Sequence, residues 1–150
     1  MINGADAGVT SAPLSSAVPE ARMVTRPRIL SVGQCGYDHG QISRQLDKRL
    51  GVEVISADTH DEALHAVKLG TIDLVLVNRV GDSDGASGID LIRAMKADPA
   101  TSDVPVMLVS NYDWAQAEAV ALGALPGFGK SQIGSGPLPE ALETLVKSQG

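Results

Sequence analysis

Short apolar runs alternate with amphipathic stretches from Pro27 onward, and that alternation predicts a fold. Residues 28–32 read as a strand closed by Gly33, 52–56 as a second, 74–77 as a third and 105–109 as a fourth. An extended segment around Phe128 makes a fifth. Between the strands the period changes to that of a helix. Ile42, Leu46 and Leu50 recur every four residues in 39–50, while Arg44, Gln45, Asp47 and Lys48 face water. Thr59-His60-Asp61-Glu62 has the spacing of a capping box and opens a second helix that stops at Gly70. Ser87 caps a third, with Ile89, Ile92 and Met95 on one face and Asp98-Pro99 at its end. Residues 113–122 form a fourth, and Leu138, Ala141, Leu142, Leu145 and Val146 mark the last.

Five βα units in a row require right-handed crossovers between parallel strands. The predicted fold class is therefore α/β: a five-stranded parallel sheet in the flavodoxin-like order 2-1-3-4-5, with helices on both faces. In such a sheet the carboxyl ends of the strands frame the ligand crevice. Gly33-Gln34-Cys35, Asn78, Ser110 and Lys130 stand there. A hydroxyl and a lysine flanking a central position are what a phosphoryl group needs, one as a donor and one as a positive charge. The central residue, however, is an amide. Asn78 offers neither a nucleophilic carboxylate nor a full negative charge for a metal.

The ordered pattern Arg28-Ile29-Leu30-Ser31-Val32, Asp73-Leu74-Val75-Leu76-Val77-Asn78, Gly88-Ile89-Asp90-Leu91-Ile92, Asp98-Pro99-Ala100, Asp103-Val104-Pro105-Val106, Val109-Ser110, Gly123-Ala124 and Phe128-Gly129-Lys130 resembles the receiver domains of two-component response regulators over about residues 27–148. The resemblance implies a phospho-acceptor Asp where Asn78 stands, and two acidic Mg²⁺ ligands where Gly33 and Gln34 stand. Ser110 and Lys130 match the residues that contact the phosphoryl group. Many receivers also carry an aromatic switch residue three positions before the lysine; here that position is Gly127, and Phe128 is expected in the core. Ser131 replaces the proline that usually follows the lysine. The chain is thus read as an atypical pseudo-receiver lacking the phospho-acceptor, with Mg²⁺ binding weak or absent, no resident cofactor and no enzymatic activity.

Composition narrows the partners. Twelve Lys and Arg against eighteen Asp and Glu give a net charge of −6, and the basic residues are scattered, which argues against nucleic acid or an anionic membrane surface. With no membrane-spanning or signal-peptide pattern and a single cysteine, Cys35, the expected location is the cytoplasm. Residues 1–26, rich in Ala, Ser, Gly and Pro, read as a disordered tail, and 27–148 as one receiver-like domain with no output domain.

Several residues have competing readings. Asp82 and Asp84, in a 79–87 loop about two residues longer than the receiver pattern, suit turn bonding, or a relocated phosphorylation site. The Lys130 ammonium is expected to find carbonyls or the Asn78 and Gln34 oxygens. Cys35, beside the crevice, is a candidate redox-sensitive thiol. Asp58, His60 and Asp61, like Asp38 and His39, read as solvated turn residues without a complete ligand set. Tyr112 and Trp114 are candidates for an interaction surface, since such residues are enriched in binding hot spots.

The expected role is a stand-alone, phosphorylation-independent protein-interaction module in two-component-type signalling. Its partner would be a histidine kinase, a regulator or an output protein, with homodimerisation through the fourth helix, fifth strand and fifth helix as a further option. The alternatives are a receiver phosphorylated at Asp82 or Asp84, or a small-ligand flavodoxin-like module.

Overall fold

A computed structural model of the chain describes residues 26–134 and 136–149. Five strands, β1 (Arg28–Val32), β2 (Glu53–Ala57), β3 (Leu74–Asn78), β4 (Val106–Val109) and β5 (Leu125–Phe128), alternate with helices α1 (Gly36–Leu50), α2 (His60–Lys68), α3 (Gly88–Ala97), α4 (Asp113–Ala121) and α5 (Glu140–Gln149). The sheet is parallel throughout, in the order β2-β1-β3-β4-β5. This is the 2-1-3-4-5 order expected from the alternation of elements.

The central strands are buried on both faces, so successive residues enter different cores. Val75 and Val77 of β3 pack with Leu30, Val106 and Leu108 under α2, α3 and α4. Leu74 and Leu76 pack with Ile29, Met107, Val109 and Phe128 under α1 and α5, represented by Ile42, Leu46 and Leu142. Removing any of the fully buried leucines would cost about 2–5 kcal/mol, a large part of a domain's stability.

Helix ends follow local chemistry. Helix α1 begins at Gly36, three residues before the periodicity suggests, because the Cys35 sulfur accepts the Asp38 amide at 3.4 Å and caps it. Thr59 Oγ1 accepts the Glu62 amide at 3.2 Å as a capping box requires, but the Glu62 carboxylate accepts from Asp58 N rather than from Thr59 N. Ser87 occupies the N-cap of α3 without a side-chain bond, contrary to the sequence expectation. Gly70, at φ 83°, ends α2 in the left-handed region.

The predicted disordered tail lies outside the described residues except for Arg26, whose guanidinium meets Asp47 of α1 at 2.6 Å. Pro126 sits on β5, an edge strand, where a missing N–H costs no ladder bond. Among the described residues no helix is long and apolar enough to cross a membrane.

Candidate functional site

The carboxyl ends of β1, β3 and β4 and the turn after β5 meet at one edge. There a cleft of about 450 Å³ is lined by Asn78, Arg79, Val80, Ser110, Tyr112 and Lys130, among others. Topology alone brings Asn78, Ser110 and Lys130 together, since β3, β4 and β5 are neighbours.

Asn78 is a working hydrogen-bond donor. Its Nδ2 donates to the Gly33 carbonyl at 3.1 Å and to the Val80 carbonyl at 2.7 Å, so its two protons clamp the β1 end to the loop that follows β3. A carboxylate has no proton for either bond. Gly33 stands at φ 77°, and a Cβ there would meet Gly81 Cα at 3.1 Å. Its carbonyl accepts a second bond, from Asp82 N at 2.9 Å. The position that the receiver resemblance gives to an acid is therefore built for a residue without a side chain.

The sequence suggests that Gln34 presents its oxygen to the edge. Instead it is 7% exposed, and both its amide atoms are buried without a hydrogen-bond partner among the described residues.

The long loop 79–87 is organised by its own backbone. Val80 and Ser87 form an antiparallel bridge, Gly81 N donates to Ala86 O, and Gly85 N donates to Gly81 O. Asp84 Oδ1 accepts from Ala86 N at 3.0 Å, an Asx-type turn, and Asp82 and Asp84 are both exposed. Ser83 Oγ ties the loop to the Asp58 carbonyl at 2.9 Å.

Lys130 does not find Asn78 or Gln34. Its ammonium meets Asp38 Oδ2, on the first turn of α1, at 2.5 Å. Asp38, read from sequence as a solvated turn residue, is thus part of the site. The Lys130 hydrogen bond holds the Asp38 carboxyl below its ordinary pKa; partial burial opposes this, while the ammonium's charge and a hydrogen bond from the Cys35 thiol add to it. Cys35 accordingly serves α1 and Asp38, and its side chain does not line the cleft. Arg49 braces the segment after Lys130 by donating to the carbonyls of Gln132, Ile133 and Gly136.

Ser110 is buried, and its Oγ accepts from Tyr112 N at 3.1 Å at the entry to α4. Behind it stands Gln116, which the sequence pattern does not single out because, with Asp113 and Glu118, it is one of three polar residues in an alanine-rich helix and looks solvent-facing. Its Nε2 donates to Leu108 O at 2.9 Å and Ser110 O at 3.1 Å, and its Oε1 accepts from Gly127 N at 3.0 Å. The β4–β5 register shifts between Met107 and Val109, so an extra residue of β5 bulges at Pro126-Gly127. A Cβ on Gly127 would run into the Leu108 carbonyl. No aromatic fits there, and the bulge turns Phe128 into the core, where it is 1% exposed.

At the mouth of the cleft the Arg79 guanidinium lies 5.0 Å from the Tyr112 ring centroid and 5.7 Å from that of Trp114, and the two rings stack 5.9 Å apart. Both aromatics are more than half exposed.

The resemblance implies Mg²⁺, and the donor set is a poor match for it. The ends of β1 and β3 supply no carboxylate, the Asn78 amide nitrogen faces carbonyls, and Gln34 is buried. Among the described residues no group of three or more His, Cys, Asp or Glu could hold a metal. The one carboxylate the site does hold, Asp38, is paired with Lys130, so the residues at this edge do not match the carboxylate-bearing donor set of a hard divalent cation.

No protein-family model and no curated protein sequence matches the chain. Solved structures do. A response regulator receiver protein from Pseudomonas putida superposes with a TM-score of 0.60 at 24% identity, covering 83% of this chain and 98% of that one. The signal receiver domain of a DNA-binding response regulator from Colwellia psychrerythraea gives 0.61 at 23%, covering 82% and 97%. The chain has the receiver fold. A two-component response regulator from Clostridium difficile, at 0.58 and 20% identity over 82% and 94%, agrees. At these identities the receiver fold is what is shared, and chemistry must be argued from the residues themselves.

Proposed function

We infer that this chain is a pseudo-receiver: a cytoplasmic signalling module that acts by binding another protein and does not form an aspartyl phosphate. The observation that carries this reading is the pair of hydrogen bonds from Asn78 Nδ2 to the Gly33 and Val80 carbonyls, which uses an amide where phosphorylation needs a carboxylate. Three features support it. Gly33 leaves no room for a metal-binding side chain, Lys130 is neutralised by Asp38, and Gln116 with Gly127 occupies the place of a moving aromatic. Mg²⁺ binding is weak on this reading, because no edge carboxylate offsets the cost of stripping its waters.

A module of this kind reports through its surface, to a histidine kinase, a regulator or an output protein. The exposed Tyr112 and Trp114 are the strongest candidates for contact. The test is intact-mass measurement after incubation with acetyl phosphate and Mg²⁺. No added phosphoryl mass is expected. An adduct that disappears in Asp82→Asn or Asp84→Asn would establish the relocated-acceptor alternative in its place.

A further inference from the structure

The guanidinium of Arg79 has no ion pair and no hydrogen-bond partner among the described residues, although it is held against two aromatic faces. Stacking of this kind fixes the plane of the group and leaves its N–H edge free, a pre-organised fork for a carboxylate. The surroundings favour that ligand. Arg79 and Lys130 both line the cleft, no acidic side chain lines it, and the charge of Lys130 is already met by Asp38. Exposed Asp113 stands between Tyr112 and Trp114 in sequence, so the face as a whole is not positive, but Arg79 is the one uncommitted cation among the described residues that line the cleft. Beside it stand Val80, 42% exposed, Tyr112, 53%, and Trp114, 60%. An apolar side chain next to the incoming carboxylate would cover these and exclude water from the ion pair, which strengthens it.

We propose that Arg79, Val80, Tyr112 and Trp114 form a docking site for an acidic segment of a partner protein, an Asp or Glu adjacent to a large apolar residue. This rests on the interaction-module reading and gives the partner its chemistry. Arg79 binds the carboxylate, and Trp114 and Val80 receive the neighbouring side chain.

Trp114 is the only tryptophan of the chain, so its fluorescence reports on this face directly. The probes are terminally blocked hexapeptides carrying Glu or Asp beside Leu or Phe, each matched to a peptide with Gln or Asn at the acidic position, titrated into the full chain. Acidic peptides should give a saturable change in emission, with the amide partners binding about tenfold more weakly. Arg79→Gln should remove that preference while keeping a cooperative melt, with only the small drop in thermal midpoint expected from losing the exposed cation–π contacts to Tyr112 and Trp114. Equal binding of acid and amide peptides, an unchanged preference in Arg79→Gln, or no saturation by any acidic peptide at millimolar concentration would each overturn the proposal. So would an equal response to inorganic phosphate alone, which would mark a small-anion pocket. Failure of the phosphorylation-independent reading would appear separately, as a phosphoryl adduct by mass.

Discussion

Replacing Asn78 by an aspartate restores the residue type that the receiver pattern expects, and it should destabilise the protein. The amide donates at 3.1 Å to Gly33 O and at 2.7 Å to Val80 O. Each bond contributes about 0.5–1.5 kcal/mol net. Their loss amounts to roughly 1–3 kcal/mol, and a carboxylate facing two carbonyl oxygens adds repulsion that the half-buried position screens only in part. For a domain of this size the expected drop in thermal midpoint is about 5–12 °C near pH 7. The pH dependence has a definite sign. The protonated acid can still donate one bond, so the native state raises the pKa of the introduced carboxyl above its unfolded value near 3.9. The deficit is therefore smallest at acid pH and grows as pH rises from about 4 through the raised native pKa. Circular-dichroism melts of wild type, Asn78→Asp and Asn78→Ala between pH 4 and 8 read this out, the alanine variant giving the hydrogen-bond loss without the charge and without the pH dependence. Asn78→Asp as stable as wild type at pH 7 would refute the clamp. A Mg²⁺-dependent recovery specific to Asn78→Asp would refute the argument from the donor set.

Gln116→Ala removes three hydrogen bonds around the β4–β5 bulge and should cost about 2–3 kcal/mol by urea denaturation, whereas a loss under about 0.5 kcal/mol would show that the clasp is dispensable. Gly127→Tyr, which reinstates an aromatic at the receiver position, should be worse than Gln116→Ala, because its Cβ meets the Leu108 carbonyl; wild-type stability would contradict that packing. Asp38→Asn should lower stability by about 0.5–1 kcal/mol at neutral pH, a value discounted because the pair is partly exposed. Since the Asp38 pKa is depressed in the native state, its stabilisation is full above the unfolded value near 3.9 and fades as pH falls below about 4; the gap between wild type and variant should close there in urea midpoints and stay constant from about pH 5 to 8.

The fold was legible because its information is periodic and local. Leu74-Val75-Leu76-Val77 is apolar at every position since β3 is covered on both faces, and Ile42 and Leu46 recur at the helical period because α1 has only one face to bury. The membership of the site was legible through topology, which places Asn78, Ser110 and Lys130 at one edge. Their partners were less so. Lys130 and Asp38 are 92 positions apart, and nothing local to either distinguishes a paired side chain from a solvated one. The role of Gln116 depends on a bulge that changes which β5 residue faces Leu108, and a bulge carries no sequence signal stronger than the Pro126-Gly127 pair. Arg79 reads from sequence as one basic residue of a loop, because its stacking needs the position of α4 relative to β3.

The departures from the receiver pattern depend on one another, and this decides how the site should be read. Gly33 at φ 77° directs its carbonyl to two donors, Asn78 Nδ2 and Asp82 N, and the second exists only because the loop after β3 folds back across β1. That loop in turn takes the room a side chain at position 33 would need, with Gly81 Cα 3.1 Å from the Cβ. An acid at 33 would clash with the loop, and an acid at 78 would release it. Clustered carboxylates repel unless a cation holds them, and here the Asn78 amide and the folded loop put neutral groups in their place, with the buried Gln34 amide left without a partner among the described residues. On the pseudo-receiver reading proposed above, hydrogen bonds to backbone carbonyls hold this edge together without a bound cation. At the rim of the cleft Tyr112 and Trp114 stand exposed beside the half-buried Arg79, which is why docking is proposed there and not on the hydrogen-bonded Asn78 clamp beneath.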